Sequence, residues 1–233
     1  MNYSVSDIMR DVRITLDQNN VSETLVSLGD IDTLTLEQII ESKIEVAART
    51  VESTAPNVML DSGKAFANRS TPHQKLVYGE TISEGVVYWV SEHGRGSGRI
   101  LLPSDFLRLV TFKMSDWEYG VTSLVREGDA LYSRQFSRYP GLRGNIQRPV
   151  VTMRNQIEGL VLEFFSCDAG DSVTVEKAQY IAIPKIRDGN IDLCERLRPA
   201  VVYYIACLVA QSTGDNALSE SMQATCKQLM EMA

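Results

Sequence analysis

From Ala200 to Ala210 the chain reads Ala-Val-Val-Tyr-Tyr-Ile-Ala-Cys-Leu-Val-Ala, without a single charged residue. Pro199 before it suits the first turn of a helix, and Gly214 after it suits a C-terminal cap. A helix that is apolar all round has to be covered on every side. The run is only about half of the roughly 20 residues needed to cross a bilayer, so its cover has to be protein.

Candidate partners lie at both ends of the sequence. Ser4 with Asp7 has the spacing of a capping box, and Tyr3 and Ile8 stand where a hydrophobic staple would close it. Ile8, Val12 and Leu16 then mark one helical face. Thr35 with Gln38 repeats the capping signal, flanked by Leu34 and Ile39 as a staple. Ile40, Ile44, Ala47 and Val51 continue that stripe until Pro56 forbids more helix. Residues from Val21 to Leu34 would link the two helices as an antiparallel pair. After Gly214, Leu218, Met222, Cys226, Leu229 and Met230 recur at spacings of three and four, which predicts a closing amphipathic helix.

Between these ends the pattern changes. Asn57 to Lys75 is polar and contains Gly63 and Pro72, the profile of a long loop. From Leu76 to Ile186 the period becomes that of strands. Gly85 to Val90 and Arg99 to Leu102 flank the glycine-rich stretch Glu92 to Gly98, which suggests a hairpin. Phe106 to Met114, Val150 to Met153, Gly159 to Cys167 and Val175 to Ile183 follow. In one of them Leu160, Leu162 and Phe164 share a face, with Val161, Glu163 and Phe165 on the other. Short strands with few helices between them favour an antiparallel sheet or small barrel over a βαβ fold. The expected fold is therefore α+β: N- and C-terminal helices forming a helical bundle (residues 1–56 and 192–233), with an inserted antiparallel β-sheet or barrel-like domain (57–191).

With 44% hydrophobic and 23% charged residues in a chain of 233, the composition is that of an ordinary folded protein. Its net charge of -7 gives the molecule as a whole no electrostatic footprint for nucleic acid. Met1-Asn-Tyr-Ser4 leads into a charged amphipathic stretch rather than a secretory signal. The chain is thus expected to stay in the cytoplasm in which it is made, or to leave as part of a particle. Cys167, Cys194, Cys207 and Cys226 are too widely spaced for a zinc site with His73 and His93, and read as reduced structural thiols. The Asn-x-Ser sequons at Asn2, Asn20 and Asn68 are then chance matches.

Chemistry-bearing motifs are few. Gly94-Arg-Gly-Ser-Gly98 is followed by a strand, whereas a phosphate cradle needs a helix N-terminus there. It reads as a hairpin tip. His73 and His93 lie near loops with no nucleophile elbow beside them. Asp105, Asp116 and Asp129 are scattered, and no calcium loop is present. No catalytic residue, metal site or cofactor is expected; an enzyme using Asp105 or His93 would be the exception.

One segment departs from the acidic background. Ala130 to Ile157 carries Arg134, Arg138, Arg143, Arg148 and Arg154 and no acidic residue, with Tyr132, Phe136 and Tyr139 interleaved. Such a segment can meet DNA phosphates, an acidic face of a partner or of a neighbouring copy, or only solvent. The final helices offer a second candidate surface, with Met222, Met230 and Met232 adding adaptable apolar groups, although an intramolecular core with the N-terminal helices would also account for them.

The stretch Leu101-Leu-Pro-Ser-Asp-Phe-Leu-Arg-Leu-Val-Thr-Phe-Lys-Met-Ser-Asp-Trp117 resembles one in the head–tail connector (adaptor or ring) proteins of short-tailed bacteriophages. There a strand enters through Pro-x-Asp-Phe and closes on an aromatic. Arg148-Pro-Val-Val151, Leu160-Val-Leu-Glu-Phe-Phe165 and Tyr180-Ile-Ala-Ile-Pro184 follow in the order expected of that family, and within it the chain resembles the version in crAss-like phages. The resemblance implies a structural virion protein: a homo-oligomeric ring of roughly twelve copies, docked on the portal and extending the DNA channel toward the tail. It would be assembled in the host cytoplasm and found at the portal vertex, in contact with adjacent tail or ring proteins and with no membrane. Leu218, Met222, Leu229 and Met230 would make the portal or subunit contact. Arg134, Arg138, Arg143, Arg148 and Arg154 would lie at a partner interface or face genomic DNA. The alternative is a nucleic-acid-binding module built on the Arg134–Arg154 segment.

Overall fold

The computed structural model describes residues 1–17, 35–61, 63–77, 80–90, 96–167 and 172–231. Among them it is a mixed α+β protein with five α-helices and three sheets. The first elements are β1 (Asn2–Ser4), α1 (Val5–Asp17), α2 (Leu36–Thr54), β2 (Lys64–Ala65), β3 (His73–Lys75), β4 (Val87–Trp89), β5 (Gly98–Leu101) and β6 (Phe106–Met114). Then come β7 (Val125–Arg126), α3 (Ala130–Arg134), β8 (Val150–Gln156), β9 (Gly159–Phe165), β10 (Val175–Ala182), β11 (Ile186–Arg187), β12 (Asn190–Asp192), α4 (Arg198–Thr213) and α5 (Asn216–Glu231). The chain divides into two compact units, Met1–Asp61 with Ile183–Ala233, and Ser62–Ala182.

In the first unit α4 packs against α5, α2 and α1. That is why its sequence can be apolar on every side: Val201, Val202, Ile205, Ala206, Val209 and Ala210 are all buried. The facing stripes are those the periodicity picked out, Ile8, Val12 and Leu16 on α1 and Ile40, Ile44, Ala47 and Val51 on α2. Thr35 and Gln38 close their capping box reciprocally, at 3.3 and 2.9 Å, satisfying two amide donors that the first turn leaves open. Gly214 ends α4 with φ 82°, a left-handed conformation that costs glycine little.

The start of the chain departs from expectation. Tyr3 and Ser4 belong to β1, which pairs antiparallel with β12, Asn2 opposite Asp192. The Ser4 hydroxyl meets that of Ser6 at 2.7 Å. With β11 these strands make a small sheet, so β11 and β12 fall with the helices. Glu52 on α2, itself buried, accepts the Cys194 amide hydrogen at 2.9 Å and ties the helix to the chain after β12.

The second unit holds a three-stranded sheet, β2-β10-β6, and a six-stranded one, β3-β4-β5-β9-β8-β7. Most pairs are antiparallel, as expected, but the two outer pairs, β3 with β4 and β7 with β8, are parallel. The polar stretch read as one long loop supplies β2 and β3, and it buries Phe66 against the aromatic core. That core contains Trp89, Phe112, Trp117 and Phe164. Phe112 stands 5.4 Å from Phe164 and 5.6 Å from Trp117, centroid to centroid. Among the described residues no helix is long and apolar enough to cross a membrane. The expected Val21–Leu34 linker, the Leu34 staple position, residues 91–95 of the hairpin tip with His93, and Met232 lie outside the described residues.

Candidate functional site

Strand β9 is buried on both faces. Leu162 and Phe164 enter the aromatic core, while Phe165 joins Tyr132 and Val150 in a smaller cluster. The cover on that second side is the arginine-rich segment, which forms a lobe rather than an open loop. Tyr132 on α3, Phe136 and Phe165 meet edge to face, with centroids 5.0, 5.8 and 6.1 Å apart.

On the same face as Phe165 sits Glu163, fully buried. Its carboxylate accepts from Arg99 Nε at 3.0 Å, from the Tyr132 hydroxyl at 3.3 Å and from Arg154 at 3.5 Å. Arg154 also reaches Glu127 at 2.9 Å. A carboxylate in this position is tolerable only because several donors converge on it. Burial, and then the charge of Glu163, pushes the Tyr132 hydroxyl up to about 12, so it stays a donor.

The rest of the lobe is held by its own backbone. Gln135 is buried, donates to the Leu131 carbonyl at 2.9 Å and accepts the Gly144 amide hydrogen at 3.0 Å. Arg143 donates through Nε to the Ser137 carbonyl. Asn145 Oδ1 accepts from the amides of Gln147 and Arg148, both at 2.9 Å. At Gly144 a Cβ would collide with the Arg148 carbonyl and with Val150, so the close approach requires glycine.

The outer side of the lobe presents Leu131, Phe136, Tyr139, Leu142 and Ile146, each 42–55% exposed. Arg134, Arg138 and Arg148 are exposed among them and Arg143 is half-buried. Arg138 donates to the Tyr139 hydroxyl at 2.9 Å and lies over that ring at 4.9 Å. Among the described residues no carboxylate lies within ion-pair distance of Arg134, Arg138, Arg143 or Arg148. Four of the five predicted arginines thus share one lobe. Arg154 is the exception, because the Glu163 and Glu127 carboxylates draw it into the buried network.

At the C-terminal helix the candidate surface is narrower than its sequence suggested. Met222 is 2% exposed, on the side of α5 that packs against α4, and is not available to a partner. Leu218, Leu229 and Met230 are half-buried. The cysteines are all buried, and burial pushes Cys194 up to about 12 and Cys226 up to about 11. Such thiols stay protonated and unreactive. His73 lies beside Trp89, Asp105 accepts from the Tyr180 hydroxyl at 2.7 Å, and Asp129 Oδ2 accepts the Arg126 amide hydrogen at 2.9 Å. Among the described residues no group of His, Cys, Asp or Glu could hold a metal ion.

The sequence alone places Glu163 on the strand face it shares with Val161 and Phe165 and assigns it no role. Its signal was a lone carboxylate inside Leu160-Val-Leu-Glu-Phe-Phe165, which only makes sense if cations cover it. No family model matches this chain, and no curated protein or solved structure matches it either.

Proposed function

We propose that this chain is a structural, non-catalytic assembly protein, the head–tail connector ring of a short-tailed bacteriophage. In this reading α1, α2, α4 and α5 act as one helical bundle forming the ring body. Leu218, Leu229 and Met230 on α5 contribute to the portal contact, and the arginine lobe makes a second interface. The ring, of roughly twelve copies, sits at the portal vertex of the virion and extends the DNA channel toward the tail. The observation that carries the assembly reading is the lobe. It is clamped from beneath by Glu163 and exposes apolar side chains and arginines that have no carboxylate within ion-pair distance among the described residues. Exposed aromatic, aliphatic and arginine side chains on a pre-ordered platform are what protein interfaces use. The placement among phage connectors rests on the sequence resemblance around Leu101–Trp117. Electron microscopy of the protein mixed with a candidate portal tests it: a cyclic layer stacked on the portal supports the reading, and a bare portal overturns it.

The same arginines, which meet no carboxylate among the described residues, favour one alternative, a nucleic-acid-binding module. If four of them neutralised phosphates, the log of the affinity for duplex DNA would fall with log salt with a slope of about -3.6. A slope near zero removes that reading.

A further inference from the structure

The charge of this chain is unevenly divided. Residues 1–61 and 183–233 hold more than half of the acidic residues and fewer than half of the basic ones, so that unit carries essentially all of the net charge of -7. The other unit is close to neutral, yet it gathers arginines on a lobe with no acidic residue between Ala130 and Ile157.

The lobe's apolar side chains decide what kind of partner it suits. Leu131, Leu142 and Ile146 are exposed, and an aliphatic group neither stacks on a base nor donates to a phosphate. Arginine and aromatic side chains around an aliphatic centre suit a protein face that is acidic and partly apolar. Because Tyr132 and Gln135 already hold the lobe in one shape, little ordering remains to oppose docking.

The chain itself carries such a face. Glu37, Glu41 and Glu45 recur at one-turn spacing on the exposed side of α2, and Val46 beside them is 56% exposed. Glu37 shares its charge with Arg13 at 2.9 Å, and Glu45 accepts the Ile186 amide hydrogen at 2.7 Å. Both keep a carboxylate oxygen for a further donor. We infer that the arginine lobe docks on this exposed face of α2 in a second copy of the chain, with Arg134, Arg138 and Arg148 against its carboxylates and Phe136, Tyr139 and Leu142 near Val46. The inference rests on the assembly reading above and names the partner of the lobe. Since the two surfaces differ, each copy gives one and receives one, and the contact propagates head to tail until it closes or continues.

Mixed-isotope cross-linking of the full chain tests this. Heavy and light protein are mixed at high concentration with a photo-reactive residue in place of Leu142. The expected products join that position in one isotope to residues 36–54 in the other. Their yield should fall about tenfold in Arg134→Glu/Arg148→Glu and in Glu41→Arg, and recover when those two variants are mixed. Circular dichroism verifies that each variant is folded. Cross-links confined to one isotope, no cross-links, or a yield indifferent to charge reversal would each overturn the inference. So would a lobe that loses salt-sensitive binding to a duplex oligonucleotide in Arg134→Glu/Arg148→Glu while making no cross-link, which assigns it to nucleic acid. Rings formed on the portal by Arg134→Glu/Arg148→Glu as readily as by the parent would defeat this interface and leave the connector reading standing. Interchain cross-links without portal rings would do the reverse.

Discussion

Glu52 ties a helix to the chain beyond a strand by burying a charge. It is 2% exposed, and its Oε1 holds the Cys194 amide hydrogen. Burial pushes its pKa up to about 6; the Cys194 hydrogen bonds oppose the rise and the charge of Asp192 adds to it. An unfolded glutamate titrates at about 4.3, so between these values the native state binds more protons than the unfolded one. Stability therefore falls as pH rises through that window, and the full cost of the buried carboxylate is present above it. The Cys194 thiol, pushed up to about 12 by burial, does not titrate in this range. Glu52→Gln keeps an oxygen for the Cys194 amide and removes the charge. It should exceed the parent in stability by about 2 kcal/mol at about pH 8, and match it at about pH 4. Urea unfolding at the two pH values measures the difference; an equal effect at both would show that the charge is not what burial opposes.

Among the elements, β9 and the lobe depend on each other. Glu163→Gln would remove the buried carboxylate that Arg99 and Arg154 share, at a cost of about 3 kcal/mol. Because Tyr132 donates to the same carboxylate, the lobe should loosen as well. Trypsin should then cleave at Arg134, Arg138 and Arg143 faster than in the parent, with the fragments assigned by mass spectrometry. An unchanged cleavage rate would mean that Glu163 holds the sheet alone. This dependence marks how far the sequence could be read. The helices were legible where local chemistry decides them, at Thr35 with Gln38, at Gly214 and along α4. Ser4 and Asp7 marked where α1 begins, but the Ser4 hydroxyl meets Ser6, and β1 went unseen because its partner β12 lies far along the sequence and a capping pattern carries no record of a strand partner. Lys64–Ala65 and His73–Lys75 are too short to show an alternation, so a polar stretch concealed two strands and the buried Phe66. In the lobe the arginines and aromatics were visible as composition. Which of them turn inward was not, because Tyr132 and Arg154 are oriented by Glu163, a residue on another strand.

On the scale of the whole molecule, the two units differ in how the chain builds them. Residues 62–182 are one continuous stretch with an aromatic core of their own. Excised, they should fold, giving a cooperative urea transition and near-ultraviolet dichroism from Trp89 and Trp117; a featureless spectrum would refute this. The helical unit is assembled from the two ends of the sequence, since β1 pairs with β12 and α4 packs on α1 and α2. That arrangement has a consequence during synthesis. At an elongation rate of about 5–20 residues per second, about 7–30 s separate the appearance of Thr54 from that of Arg198. For that interval Ile8, Val12, Ile40 and Ile44 emerge from the ribosome before the helix that will cover them has been translated. The nascent chain therefore carries sticky, unfinished helices past a unit that can already fold, which makes it a natural client for chaperones, and a transcript cut short before Arg198 would yield a product that never loses that need.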